Sequence, residues 1–137
     1  MRSWVLEGKL TRSSRPGYDG EGGESVQRPV VDAWLDDLRR DGVESIICLL
    51  GDDQLCYYDE LPGGLISYYT ASGFKVRTVP ARDHQWPALS QAQLDGVWRA
   101  YCDLTKPVVI HCSAGVDRTG AAVKWILQQL AGERDGS

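Results

Sequence analysis

Apolar positions along the chain fall into stretches with a helical period separated by short unbroken runs. Val31, Trp34, Leu35 and Leu38 recur at i, i+3, i+4 and i+7 behind Pro29, with Arg39 and Arg40 in the closing turn and Gly42 as the stop. This predicts an amphipathic helix. The run Ile46-Ile47-Cys48-Leu49-Leu50 within residues 44–50 has the length and continuity of a strand buried on both faces, as in a parallel sheet. A weaker helix is predicted over 65–72, ended by Gly73, and a second strand over 74–79, stopped by Pro80. Ser90 with Gln93 forms a capping box and Leu89 with Leu94 a hydrophobic staple; the helix they open carries Leu94, Val97, Trp98 and Tyr101 as its apolar stripe. Residues 107–110 (Pro-Val-Val-Ile) read as a third buried strand. The last helix, 119–131, is apolar on most sides, with Lys124 and Gln128 as a narrow polar stripe and Gly132 as its cap. Ahead of these elements, residues 4–10 read as a short opening strand and 16–24, rich in Gly and acid, as a surface loop.

Strands alternating with helices imply an α/β domain, a central, mostly parallel sheet flanked by helices. Such sheets bind ligands off the carboxyl ends of their strands. The length of 137 residues suits one domain over 1–137. A net charge of −4 argues against a surface that coats nucleic acid or anionic membrane. No run is apolar enough to span a bilayer, and Met1-Arg2-Ser3-Trp4 lacks a signal-peptide layout, so a cytoplasmic location is expected. The four cysteines (Cys48, Cys56, Cys102, Cys112) form no CxxC pair and no zinc spacing, and with two histidines a metal site is not expected. Cys48 and Cys102, among apolar neighbours, read as inert buried thiols.

Cys112 reads differently. The turn between the 107–110 strand and the last helix is Cys112, five residues, then Arg118, with Gly115 and Gly120 supplying glycine. That spacing suits a loop curled round a phosphate: successive N–H groups of Ser113, Ala114, Gly115, Val116 and Asp117 point inward, and the following helix start adds its positive end. Arg118 supplies a planar fork for two phosphate oxygens. A cysteine at the bottom of such a bowl is favoured as thiolate. Thr119 is placed to donate a hydroxyl hydrogen bond to the sulfur, and His111 to orient the loop backbone. Asp117, a carboxylate at the mouth of a dianion site, suits a structural role bonding N–H groups at the helix start.

The string His111-Cys112-Ser113-Ala114-Gly115-Val116-Asp117-Arg118-Thr119-Gly120 resembles the H-C-x5-R-[ST]-G signature of the protein tyrosine phosphatase superfamily, and the layout resembles its small dual-specificity members. The resemblance implies a phosphatase working through a phosphocysteine on Cys112, without cofactor or metal. It also implies a general-acid aspartate on a loop upstream. Asp83, 29 residues before Cys112 in the 79–87 segment, occupies that place, with Trp86 and Pro87 as loop anchors and His84 as a plain loop residue. Two features depart from the family pattern. Only 25 residues follow Cys112, which leaves little room for the later helices of many relatives, and no second glutamine motif positions water. The expected substrate is a phosphoprotein or phosphopeptide carrying phosphotyrosine, with phosphoserine and phosphothreonine as further substrates. Phosphoinositide and RNA 5′-phosphate are the alternatives, disfavoured by the acidic charge and by Val116 where lipid-directed relatives carry lysine. A phosphoprotein-binding module is a further alternative, disfavoured by the intact Cys112 and Arg118. Protection of Cys112 by a disulfide to Cys48 or Cys56 is the remaining redox reading.

Overall fold

The computed structural model describes residues 2–18 and 25–136. Its elements run β1 (Ser3–Leu6), β2 (Leu10–Ser13), α1 (Arg28–Arg40), β3 (Ser45–Leu50), α2 (Asp52–Leu55), a 3-10 turn (Cys56–Tyr58), α3 (Gly64–Ala71), β4 (Lys75–Ala81), α4 (Gln91–Asp103), β5 (Val108–His111) and α5 (Asp117–Gly136). Among the described residues the strands form one mixed sheet in the order β1-β2-β5-β3-β4, antiparallel only between β1 and β2. This is the α/β architecture that the hydrophobic pattern predicts.

β3 shows why an unbroken apolar run is needed. It pairs with β5 on one side and β4 on the other, and every residue from Ser45 to Leu50 is buried. The two-residue period of a strand sends Ile46, Cys48 and Leu50 into the layer under α1 and α3, and Ile47 and Leu49 into the layer under α4 and α5. Val109 and Val108/Ile110 of β5 divide the same way. α1 buries Val31, Leu35 and Leu38, as its spacing predicts. α4 opens on the expected capping box, with Ser90 Oγ accepting from Gln93 N–H and Gln93 Oε1 accepting from Ser90 N–H.

Several boundaries differ from the sequence reading. Residues 4–10 are a hairpin rather than one strand, because Gly8 at φ 74° turns the chain between β1 and β2. Of the 16–24 loop, residues 19–24 lie outside the described residues. β4 continues through Pro80 to Ala81: it is an edge strand, and its register shifts opposite Cys48 and Leu50, so the missing N–H disrupts little. α5 starts at Asp117 and passes Gly132, which takes no positive φ and therefore does not close the helix. Nor is α5 enclosed. Ala122, Val123 and Ile126 meet the sheet, while Lys124, Leu127 and Gln128 face outward, because among the described residues no further layer covers that side. Cys102 is exposed as well, since its apolar neighbours Val97, Ala100 and Tyr101 take the inner side of α4.

The four parallel strands end at one edge, and each delivers a piece of the site beyond its carboxyl end: Arg15 after β2, Gln54 after β3, Asp83 after β4 and Cys112 after β5.

Candidate active site

Cys112 to Val116 form the turn from β5 into α5. Its carbonyls are held from behind by the β2 segment: Ser113 O accepts from Arg15 N–H at 2.8 Å, and Gly115 O from Arg12 Nη2 at 2.8 Å. Among the described residues no backbone carbonyl accepts from the N–H groups of Ser113 to Arg118; the first bond into α5 is Gly120 N–H to Val116 O at 2.8 Å. A run of unpaired N–H groups leading into a helix N-terminus is an anion-binding nest. Gly115 makes the close backing possible. It sits at φ 78°, and a Cβ there would lie 2.6 Å from Ser13 O.

Cys112 is buried at the floor of a cavity of about 290 Å³. The loop contributes Cys112, Ser113, Ala114, Asp117 and Arg118 to its walls. Gly115 and Val116 shape the turn without facing the cavity, and Val116 is 62% exposed. Asp117 begins α5 and lines the cavity mouth, but its carboxylate makes no hydrogen bond among the described residues, so the capping role expected for it is not formed. Thr119 Oγ1 is buried and likewise has no hydrogen-bond partner among the described residues, so the expected bond to the Cys112 sulfur is not made. α5 begins two residues before Thr119, which carries that side chain into the helix rather than leaving it at the rim.

His111 is fully buried behind the loop. Its Nδ1 lies 3.1 Å from Cys112 O, which can only accept, so Nδ1 carries the proton and Nε2 accepts from the Tyr69 hydroxyl at 3.0 Å. Trp34 meets the ring edge-on at 5.2 Å. Burial, aided by the Arg118 and Arg15 charges and opposed by the Cys112 carbonyl, lowers its pKa from 6.5 to about 4. The folded pKa lies below the unfolded one, so this stability is present above pH 6.5 and lost as pH falls toward 4. We expect the wild type to lose about 2 kcal/mol in urea titrations between about pH 7.5 and pH 5, with His111→Gln showing a flatter dependence. An unchanged wild-type midpoint would contradict the buried neutral imidazole.

Arg118 is fixed from three sides. Nη1 donates to Ala81 O at 2.8 Å, and Nη2 to Gln54 Oε1 at 2.8 Å and Asp83 Oδ1 at 3.2 Å. Nε makes no hydrogen bond among the described residues. Gln54 closes the ring by donating Nε2 to Asp83 Oδ2 at 3.1 Å. The fold thus brings Cys112, Arg118 and Asp83 into one cavity, through contacts that sequence spacing does not reveal. The Asp83 loop is held differently from the expectation. Trp86 is 94% exposed and anchors nothing by burial; instead Gln85 bonds Arg82 N–H and Gln93, and Gln93 reaches Pro80 O. His84 adopts φ 60° beside Asp83.

Four lining residues escaped the sequence reading: Gln54, Arg15, Tyr18 and Tyr57. The available signal was positional, since Arg15 and Gln54 follow predicted strand ends, where α/β sheets place their sites. Cys48 packs in the α1/α3 layer and Cys112 in the α4/α5 layer, so a disulfide between them would have to cross the sheet.

The family model described as Tc-R-P, polymorphic toxin system, DSP-PTPase phosphatase matches residues 22–131. The chain belongs to this family. It is thus a small dual-specificity-like member of the protein tyrosine phosphatase superfamily, a hydrolase of phosphate esters. Among solved structures it is similar to a mutant form of Tk-PTP, at 23% identity and TM-score 0.61, covering 93% of this chain and 71% of that one. The Siw14 catalytic core aligns at 19% identity and TM-score 0.62, covering 93% and 65%. The core catalytic domain of the PP-IP phosphatase SIW14 from S. cerevisiae, in complex with citrate, aligns at 20% and 0.54, covering 93% and 64%. At such identities these likenesses concern the fold, and the chain spans roughly two thirds of the length of each. No curated protein matches it. Among the described residues no helix is long and apolar enough to cross a membrane.

Proposed function

We propose that this phosphatase acts on phosphotyrosine in proteins, with phosphoserine and phosphothreonine as further substrates, through a phosphocysteine on Cys112. The observation that carries the reading is the meeting of Cys112, Arg118 and Asp83 in one cavity beneath unpaired loop N–H groups. Cys112 Sγ attacks phosphorus in line as the ester P–O bond breaks, and Asp83 gives its proton to the departing oxygen. Water then attacks phosphorus, Asp83 takes its proton, and the P–S bond breaks to return thiolate and inorganic phosphate. Charge on the equatorial oxygens is met by the N–H groups and by the free Nε edge of Arg118, so the cycle calls on no metal. Asp83 now bonds Arg118; a phosphate taking that guanidinium would release the carboxyl toward the leaving oxygen. The tyrosine rings of Tyr18 and Tyr57 in the cavity wall favour a flat aromatic leaving group.

The test is hydrolysis of p-nitrophenyl phosphate in excess chelator, with acid quench and mapping of the trapped phosphoryl group. Panels of phosphopeptides, short-chain phosphoinositides and 5′-triphosphate RNA follow. Phosphate should be trapped on Cys112, and phosphotyrosine peptides should give the highest kcat/KM. Trapping on another residue would overturn the mechanism, and a preference for the lipids or RNA would overturn the substrate class.

A further inference from the structure

Arg15 is a buried cation that meets no counter-charge among the described residues. It is 3% exposed and lines the same cavity as Cys112 and Arg118, yet it forms no ion pair among the described residues. Its Nε donates to Ser113 Oγ at 3.2 Å and its Nη1 to the Tyr58 hydroxyl at 3.3 Å, both neutral acceptors. The Tyr58 hydroxyl is in turn spent on Pro16 O at 2.7 Å. Nη2 makes no hydrogen bond among the described residues. The guanidinium lies over the Tyr57 ring at 5.0 Å and the Tyr18 ring at 5.7 Å.

Removing a guanidinium from water is costly unless an anion or good donors and acceptors compensate it. Two neutral hydrogen bonds and two aromatic faces offset part of that cost and hold the plane of the group still. What they leave is the charge itself and the Nη2 donor. Arg118, by contrast, already meets a carboxylate. A fixed cation that no described residue neutralises, in the wall of a phosphate cavity, is suited to a second anion. The cavity, about 290 Å³, also has room for more than a single phosphate group.

We propose that Arg15 forms a second anion subsite beside the phosphate loop, so that the preferred substrate carries a carboxylate or a second phosphate next to the scissile phosphate. For the phosphoprotein reading, on which this inference rests, that means phosphotyrosine flanked by an acidic or phosphorylated residue. The bond from Arg15 Nε to Ser113 Oγ puts the subsite directly against the loop. The second anion therefore lies on a neighbouring group of the substrate rather than at a remote docking site.

Two measurements test it. The first is calorimetric binding of inorganic phosphate and inorganic pyrophosphate to Cys112→Ser protein carrying Arg15, Arg15→Gln or Arg15→Lys. With Arg15 present, pyrophosphate should bind more tightly than phosphate. Arg15→Gln should reduce that preference by about 10- to 100-fold, the range for a charge-assisted contact. Arg15→Lys loses the same bonds to Ser113 and Tyr58 but keeps the charge, and should retain part of the preference. The second measurement is kcat/KM on phosphotyrosine peptides with Asp, phosphoserine or Ala beside the phosphotyrosine, in the Cys112 background, which distinguishes carboxylate from phosphate as the second anion. The acidic peptides should lead with Arg15 and lose their lead in Arg15→Gln. Equal losses in Gln and Lys would show that Arg15 only braces the loop, and an unaltered preference in Arg15→Gln would show no subsite; either overturns the proposal. If the pyrophosphate preference behaves as expected but no peptide is cleaved, the subsite stands and the phosphoprotein reading falls. If neither anion binds, the phosphate loop and the subsite fall together.

Discussion

Cys112→Ser should lower turnover of p-nitrophenyl phosphate by at least about 10⁴-fold, the scale expected when a nucleophile is removed from a site that acts as a unit. Binding of phosphate or vanadate should persist. The reason for that split is structural. The nest is built from backbone N–H groups of Ser113 to Arg118 and from a guanidinium held by Ala81 O and Gln54, none of which involves the sulfur. The floor position is buried and a hydroxyl is smaller than a thiol, so the variant should fold with the loop intact. Steady-state kinetics with calorimetry of the same samples decides the matter. Appreciable turnover by the serine protein would remove Cys112 as nucleophile, and loss of anion binding together with turnover would mean that the sulfur, rather than the backbone, organises the bowl.

The second large effect is expected at Asp83. With alkyl or phenolic leaving groups, which need a proton, Asp83→Asn should reduce kcat/KM by about 10²-fold or more. With a strongly activated nitrophenolate the loss should be much smaller. The general acid must carry its proton when substrate arrives while Cys112 must have lost its own, so the wild-type profile should be bell-shaped, with the alkaline limb belonging to Asp83. That limb should flatten in Asp83→Asn. Two neighbours are the competing donors: His84, exposed and 3.5 Å from the Asp83 carboxylate, and Asp117, which lines the cavity and makes no hydrogen bond among the described residues. His84→Ala and Asp117→Asn should keep the alkaline limb. A limb that survives in Asp83→Asn and disappears in either control would transfer the acid role and leave the 79–87 segment as structure.

Spacing on the chain made some of this site legible and hid the rest. The run from His111 to Gly120 is local: a strand end, a turn and a helix start, whose conformation depends on Gly115 and on neighbours a few residues away. Asp83 could be placed only by its offset from that run. Thr119 and Asp117 were assigned bonds that the helix start, beginning at Asp117, does not supply. Trp86, expected as a loop anchor, is outside, and a polar pair, Gln85 and Gln93, holds the loop in its place.

The sequence by itself determined the succession of α1, β3, α3, β4, α4, β5 and α5, the two-sided burial of β3, the capped start of α4 and the Cys112–Arg118 loop. All of these rest on periodicities and turn chemistry that act over a few residues. Only the tertiary structure decided that Arg15, Gln54 and Asp83 would share a cavity with Cys112. The physical reason is the parallel sheet. Crossovers bring the carboxyl ends of β2, β3, β4 and β5 to one edge, so residues far apart in the chain meet there, and no local pattern records the meeting. The charge that Arg15 carries was visible from the start. That no described residue supplies its counter-charge is a property of the folded cavity alone.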